Sequence, residues 1–379
     1  MDRRGFVTSG VAAGLVGLGG AAPFARALTD GGIWRVGKTR ADGTLRLSSN
    51  ENPLGLPPAA RQAVLDHLLH ANRYPGEWAA PLQQALAERL GVKADCVVPG
   101  QGSTEILQMA VQAFHAPGAP LVLADPTFEH VARYQDPLAY DLRPVPLGAG
   151  WGHDVERMRQ ALGPGGGPGL VYICNPGNPT GTLTPSRDLD AWIADAPETT
   201  IFLVDEAYFE YTRHPDYWSA LKWVESRPNV VVVRTFSKIF AMAGLRLGYG
   251  VAHPSTAERL RDFACANNVN LLAAAAGMAC LADDDFEARS LEVNDQALAI
   301  AVEVLDELEL EHMPTHANFI MHRVNGALPA YITRMREVGI RVGRPFPPLD
   351  GWNRVSFGLP EEMERWADNL RRLRRTGHA

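Results

Sequence analysis

Short, unbroken apolar runs separated by helical stretches constrain this 379-residue chain more than any other feature. The runs at 97–98, 121–124, 170–174, 201–204 and 230–234 are rich in branched aliphatic residues, and each gives way at once to polar or glycine-bearing sequence. Between them lie helical patterns such as PPAARQAVLDHLLHA, which opens on proline, and PLQQALAERLG, which stops at Gly91. Apolar strands without a polar face, alternating with helices, predict an α/β fold whose mostly parallel sheet is covered on both sides. In such sheets ligands gather beyond the carboxyl ends of the strands. The residues that follow each run are therefore where chemistry is to be sought.

After about residue 254 the pattern shifts to long helices, notably 284–310, with short strand candidates at 317–323, 340–342 and 354–357. This predicts a large domain over 57–253 and a smaller α+β domain over 254–379, with residues 28–56 packing against the smaller one. The N-terminus carries adjacent Arg3 and Arg4, a Gly/Ala/Val/Leu-rich stretch at 7–22, and Ala25-Arg26-Ala27. That order predicts a twin-arginine export signal over 1–27, a small-x-small cleavage site and a mature start near Leu28. The competing reading is an uncleaved anchor, but the stretch is short and glycine-diluted for a span needing about 20 strongly apolar residues. The expectation is a periplasmic protein whose mature chain has no stable membrane insertion. A net charge of −7 without a long basic run gives no electrostatic footprint for nucleic acid. The four cysteines lack CxxC spacing; an oxidising compartment permits a disulfide, and buried free thiols are the simpler expectation.

Four strand ends carry a coherent set of groups. GQGSTE at 100–105 precedes a helical run, so its glycines and the helix N-terminus suit an anion. NPGNPTG at 175–181 holds Asn178 in a proline-fixed loop, where its amide suits a phenolate oxygen; a purely structural turn is the alternative. VDEAY at 204–208 puts Asp205 directly after a buried strand, where a carboxylate is costly unless paired. A pyridinium N–H is a suitable partner, with Tyr208 three residues on. A metal site on Asp205 and Glu206 competes, but no His or further carboxylate stands at ligand spacing, so no metal is expected. TFSKIFAMAGLRLGYG at 235–250 surrounds Lys238 with Phe236, Ile239 and Phe240, a setting that lowers an amine's pKa and makes it nucleophilic. Ser237 and Arg246 suit a phosphate beside it.

Taken with LSSNENPLG, RYPG, PTF and NRVSFG, these motifs resemble the fold-type-I pyridoxal-phosphate (PLP) aminotransferases, most closely their histidinol-phosphate aminotransferase-like subgroup. The resemblance spans essentially the whole mature chain. It implies a large domain with a mostly parallel seven-stranded sheet between helices, a smaller α+β domain, and pyridoxal 5'-phosphate as cofactor. It further implies a Schiff base on Lys238, Asp205 against the pyridine nitrogen, and Asn178 and Tyr208 on the phenolic oxygen. Gly102, Ser103, Thr104, Ser237 and Arg246 would hold the phosphate, with Thr235 supporting them, and Phe128 would stack on the ring. Arg354 would clamp the substrate α-carboxylate. Tyr74 would reach the neighbouring subunit's cofactor, which implies a homodimer. Two departures stand out: Ser103-Thr104 where the family often has Ser-Asp, and Phe128 where tyrosine is common.

The implied reaction moves an amino group between an α-amino acid and a 2-oxo acid by a ping-pong route. A racemase or decarboxylase on the same scaffold is the rival within PLP chemistry, and a non-catalytic binding protein the rival outside it. Histidinol phosphate is a cytoplasmic intermediate, so an exported enzyme would use another donor; histidinol-phosphate aminotransferase proper fits if the N-terminus is not a signal. Tyr211, Tyr217 and Trp218, with Arg344, are candidates for the side-chain pocket. Gly32–Thr39 matches GxxxxGK[ST], but no buried strand precedes it and Arg-Ala-Asp-Gly follows, which argues against a phosphate loop. His312 and His316 stand four apart, but Pro314 between them disrupts the helix that metal ligation would need.

Overall fold

The computed structural model describes residues 36–114, 116–163 and 167–375, so the expected export signal lies outside the described residues. Eleven strands are described: β1 (Leu45–Arg46), β2 (Val97–Gly100), β3 (Pro120–Asp125), β4 (Asp141–Pro146), β5 (Gly169–Cys174), β6 (Thr200–Asp205), β7 (Val230–Thr235), β8 (Gly248–Ala252), β9 (Phe319–Arg323), β10 (Ile340–Arg341) and β11 (Trp352–Ser356). Seven form one sheet in the order β2-β8-β7-β6-β5-β3-β4. Its pairs are parallel except for β8, which runs antiparallel to both neighbours. Every residue of β7 is buried, as two-sided cover requires, and separate apolar cores fill the two faces.

Register positions the site. Cys174 of β5 pairs with Asp205 of β6, which pairs with Val233 of β7. Three parallel strands thus end abreast, and the segments leaving them, around Asn178, Tyr208 and Lys238, emerge side by side at one sheet edge.

Two strands of this sheet, and the short β1 outside it, lay outside the sequence expectation. β4, DLRPVP, contains two prolines and occupies the sheet edge, where a missing N–H is tolerated. β8, GYGVA, lacks a long apolar run because Gly248 sits against the backbone of Gly102 and Ser103, and Gly250 against Ile106. Any Cβ at these two positions would collide, so strand propensity yields to close approach.

The smaller body has its own core, which includes Leu45, Leu47, Ile340, Val355 and Trp366. β1 pairs in parallel with β10, and β9 pairs antiparallel with β11. The boundary expected at 254 is corrected. Helices Pro254–Arg261 and Leu271–Leu281 contribute to the cores of the large sheet, and the second packs on helices Pro58–His67 and Gly76–Leu90. The chain passes to the smaller body along helix Asp284–Glu307, whose last turns carry Ala297, Ala301, Val304 and Leu305 into the small core. The sequence pattern misplaces this boundary because LLAAAAGMACL, buried on several sides, looks like any other long helical stretch. Among the described residues, no helix is long and apolar enough to cross a membrane.

Candidate active site

The end of β2 runs into helix Ser103–Ala113 through Gly102, whose φ of +75° favours glycine. No side chain caps this helix, and Ser103 and Thr104 of its first turn line the cavity. Arg246 lies over Gly102 so closely that a Cβ there would strike its guanidinium. Arg246 Nη1 donates to Ser237 Oγ at 3.3 Å and to the Ala243 carbonyl at 3.0 Å. Thr235 lines the same cavity and supports this group: its hydroxyl accepts the Ser237 N–H at 3.0 Å and donates to the Leu247 carbonyl. A helix N-terminus, the hydroxyl residues Ser103, Thr104 and Ser237, and a guanidinium form a cradle for a phosphate.

Asp205 is 2% exposed at the end of β6. One carboxylate oxygen accepts from the Tyr172 hydroxyl at 2.8 Å and the other from the Ala207 N–H at 3.1 Å. Burial lifts its pKa to about 6 against these bonds. Neither hydrogen-bond partner is a cation, which leaves the buried carboxylate suited to a protonated ring nitrogen. Tyr172 is an addition to the sequence reading. A single tyrosine in the aliphatic strand GLVYIC needs a partner for its hydroxyl, and that was the available signal.

Lys238 faces the same cavity. Its pKa is pushed down to about 8 by burial first and by Arg354 and Arg246, with Glu51 and Asp205 opposing. Its Nζ donates to the Asn50 carbonyl at 3.1 Å. Asn50 is a further addition: it also donates to Tyr208 Oη at 2.8 Å and accepts from Ser356 Oγ at 2.7 Å. Asn178 Nδ2 approaches the same Tyr208 oxygen at 3.5 Å, and its Oδ1 accepts from Arg354 Nη1 at 2.6 Å. Arg354 also donates to the Ser48 carbonyl at 3.4 Å and stacks over Phe346 and Phe319, while its buried Nε has no protein partner. Three successive carbonyls, Ser48, Ser49 and Asn50, thus accept from Arg354, Lys38 and Lys238 in turn.

Lys38 is the second buried amine. Burial lowers its pKa to about 7, below that of Lys238. Its Nζ is held at 3.2 Å by the Ser49 carbonyl and it lines neither cavity described here. Position therefore distinguishes the two lysines, and acidity does not. The Gly-Lys-Thr match is structural as well: the N–H groups of Lys38 and Thr39 and the Thr39 hydroxyl all donate to Glu362 Oε1.

Phe128 lines both the cavity of about 230 Å³ holding Asp205 and Arg246 and the adjoining one of about 340 Å³ bounded by Arg354 and Arg344. Arg344 is at that second cavity, bonded to Glu129. Tyr74 is 82% exposed and outside both. The expected aromatic side-chain pocket is corrected. Tyr211 belongs to the core, Tyr217 donates to the Asn175 carbonyl at 2.7 Å, and Trp218 donates to Asp190 at 2.7 Å. None of the three lines the two cavities that hold Lys238; Tyr217 and Trp218 line a separate one with Glu206, their polar groups taken by local partners. Glu206 points away from Asp205, as strand alternation requires, and meets Arg234 at 2.8 Å in a buried ion pair. His312 bonds Asp306 while His316 lies beside Thr212, and no metal-binding cluster occurs among the described residues.

Comparison with known proteins gives this geometry its family. The pattern described as "Aminotransferase class I and II" matches residues 42–370. The chain belongs to the class I and II aminotransferases. It is 36% identical over 323 residues to histidinol-phosphate aminotransferase 2 of Ralstonia nicotianae, covering 84% of this chain and 85% of that protein. A histidinol-phosphate aminotransferase from Sinorhizobium meliloti, solved in complex with pyridoxal-5'-phosphate, superposes with a TM-score of 0.82 at 27% identity, covering 87% of this chain and 90% of that one. The L-threonine-O-3-phosphate decarboxylase of Porphyromonas gingivalis shares the fold, with a TM-score of 0.74 at 21% identity, covering 86% and 98% of the two chains. The protein is thus a PLP-dependent aminotransferase of fold type I. The cradle, the buried carboxylate and the lysine described above fit that cofactor's phosphate, ring nitrogen and aldehyde.

Proposed function

We propose that this aminotransferase moves amino groups between α-amino acids and 2-oxo acids by a ping-pong sequence, as an exported homodimer with the following division of labour. Bound PLP supplies an electron sink for the negative charge that develops at the substrate Cα. Lys238, a buried amine of lowered pKa in the cavity that also holds Asp205, would anchor the cofactor's aldehyde and would be the group that carries the proton of the substrate Cα. Asp205, kept in place by Tyr172, favours a protonated ring nitrogen. Asn178 and Tyr208 donate to the phenolic oxygen, with Asn50 orienting Tyr208, and Phe128 covers the ring. Gly102, Ser103, Thr104, Ser237 and Arg246 bind the phosphate.

The observation that carries the amino-acid reading is Arg354. A buried guanidinium with an unused Nε, anchored to Asn178 in the cavity that holds Lys238, matches a carboxylate. Holding that carboxylate at Arg354 would orient the substrate so that its Cα–H, rather than its bond to the carboxylate, is offered to Lys238, which favours proton transfer over decarboxylation. Exposed Leu69 and Tyr74 support a subunit interface through which Tyr74 reaches the partner's phosphate. The Arg3-Arg4 sequence supports export.

A second reading rests on the relatives' names: histidinol phosphate as donor, in the cytoplasm. A half-reaction screen separates the two. Purified enzyme is mixed with single amino donors, histidinol phosphate among them, and conversion of the bound cofactor is followed by absorbance. Reaction with α-amino acids is expected; reaction with histidinol phosphate alone would overturn the first reading. Racemase or decarboxylase activity would show as turnover without a 2-oxo acid acceptor.

Two further outcomes follow from the geometry. Gly102→Ala forces a Cβ against Arg246 at a strained φ, so the dissociation constant for PLP, measured by titration of stripped protein, rises at least about tenfold. Covalent capture of PLP needs the free amine of Lys238, so its rate climbs about tenfold per pH unit up to about 8 and then levels. Below about pH 6 Asp205 becomes neutral and capture weakens further. A flat profile between about 6 and 8 would contradict this account of Lys238.

A further inference from the structure

Glu129 and Arg344 meet over the mouth of the cavity that contains Lys238 and Arg354. Glu129 follows β3 on the large body and Arg344 follows β10 on the small one, so the pair joins the two bodies across the opening. Arg344 Nη2 donates to Glu129 Oε1 at 2.5 Å, and Nη1 donates to the adjacent Pro345 carbonyl at 2.8 Å. The second Glu129 oxygen lies 3.9 Å from Arg133 Nη2. Both partners are about half exposed, at 53% and 52%, and a pair that exposed opens at small cost. Arg354, whose pKa burial lowers to about 10, feels both charges, which puts them within electrostatic reach of the carboxylate anchor.

We infer that Glu129 is an internal competitor for the distal group of the substrate: it occupies Arg344 until an anionic side group displaces it. This rests on the assignment of Arg354 to the α-carboxylate. The mouth then presents two guanidinium groups, Arg133 and Arg344, against one carboxylate. His130 adds no charge near neutral pH, because burial first and Arg133 second lower its pKa. A neutral side chain leaves the clasp closed and lies against Phe128 and Phe346. A distal carboxylate or phosphate exchanges with Glu129 at Arg344, and Glu129 turns toward Arg133. One cavity thereby takes neutral amino donors and dianionic partners, and Glu129 sets the ratio between them.

The test is calorimetric titration of PLP-loaded enzyme with two unreactive acids: glutarate, which has a distal carboxylate, and 3-phenylpropionate, which has none. Glu129→Gln is expected to tighten glutarate roughly three- to tenfold and to leave 3-phenylpropionate within about twofold. Arg344→Gln weakens glutarate, and adding Glu129→Gln to it brings no recovery. Glutarate affinity unchanged or reduced in Glu129→Gln, both acids shifting together, or neither acid binding would overturn the inference. Failure of the aminotransferase reading appears separately, as no cofactor conversion in the half-reaction screen.

Discussion

Lys238→Ala is expected to lower transamination at least about 10⁴-fold, because it removes both the covalent anchor and the proton carrier. No other lysine can substitute. The chain has four, at 38, 93, 222 and 238. Lys93 and Lys222 are exposed, Lys222 paired with Asp190, and Lys38 is held by Ser49 away from the cavities. Lys238 makes one hydrogen bond, to Asn50, so the fold should survive its loss. Steady-state turnover with an amino donor and a 2-oxo acid, beside a thermal melt, measures both. Activity within tenfold of the parent in folded protein would remove Lys238 from the chemistry.

Arg354→Ala should reduce kcat/KM for α-amino acids by roughly 10²–10³-fold, the cost of truncating one partner of a buried charge pair. The loss should fall mainly on KM and on the ratio of proton transfer to side reactions, since the guanidinium binds and orients without touching the proton. Arg354→Lys should recover little. An ammonium cannot bond Asn178, Ser48 and a carboxylate together in one plane, nor stack over Phe346 and Phe319. Equal kinetics for amines with and without a carboxylate, in the parent enzyme, would contradict the assignment.

Much of this site was legible in the sequence because parallel α/β sheets place function at strand ends, and strands β5, β6 and β7 are unbroken apolar runs whose ends are easy to see. Their register then brings Asn178, Asp205, Tyr208 and Lys238 together. What escaped depends on contacts between distant segments. Asn50 and Ser48 belong to a strap 188 residues from Lys238 in the case of the Asn50 bond, and no local periodicity marks them. Tyr172 was hidden as one more apolar strand residue. The aromatic trio at 211, 217 and 218 misled for the converse reason: proximity in sequence to VDEAY placed it near the site, but its polar atoms are turned to Asn175 and Asp190 or packed in the core. β4 and β8 were invisible because edge position and close approach overrode propensity.

Borohydride reduction of the PLP-loaded enzyme, followed by mass spectrometry of its peptides, tests the central claim most directly. The account predicts a single pyridoxyl adduct on the peptide that contains Lys238. It predicts none on Lys38, although burial makes that amine the more acidic of the two. An adduct on Lys38, or none on any lysine, would contradict it.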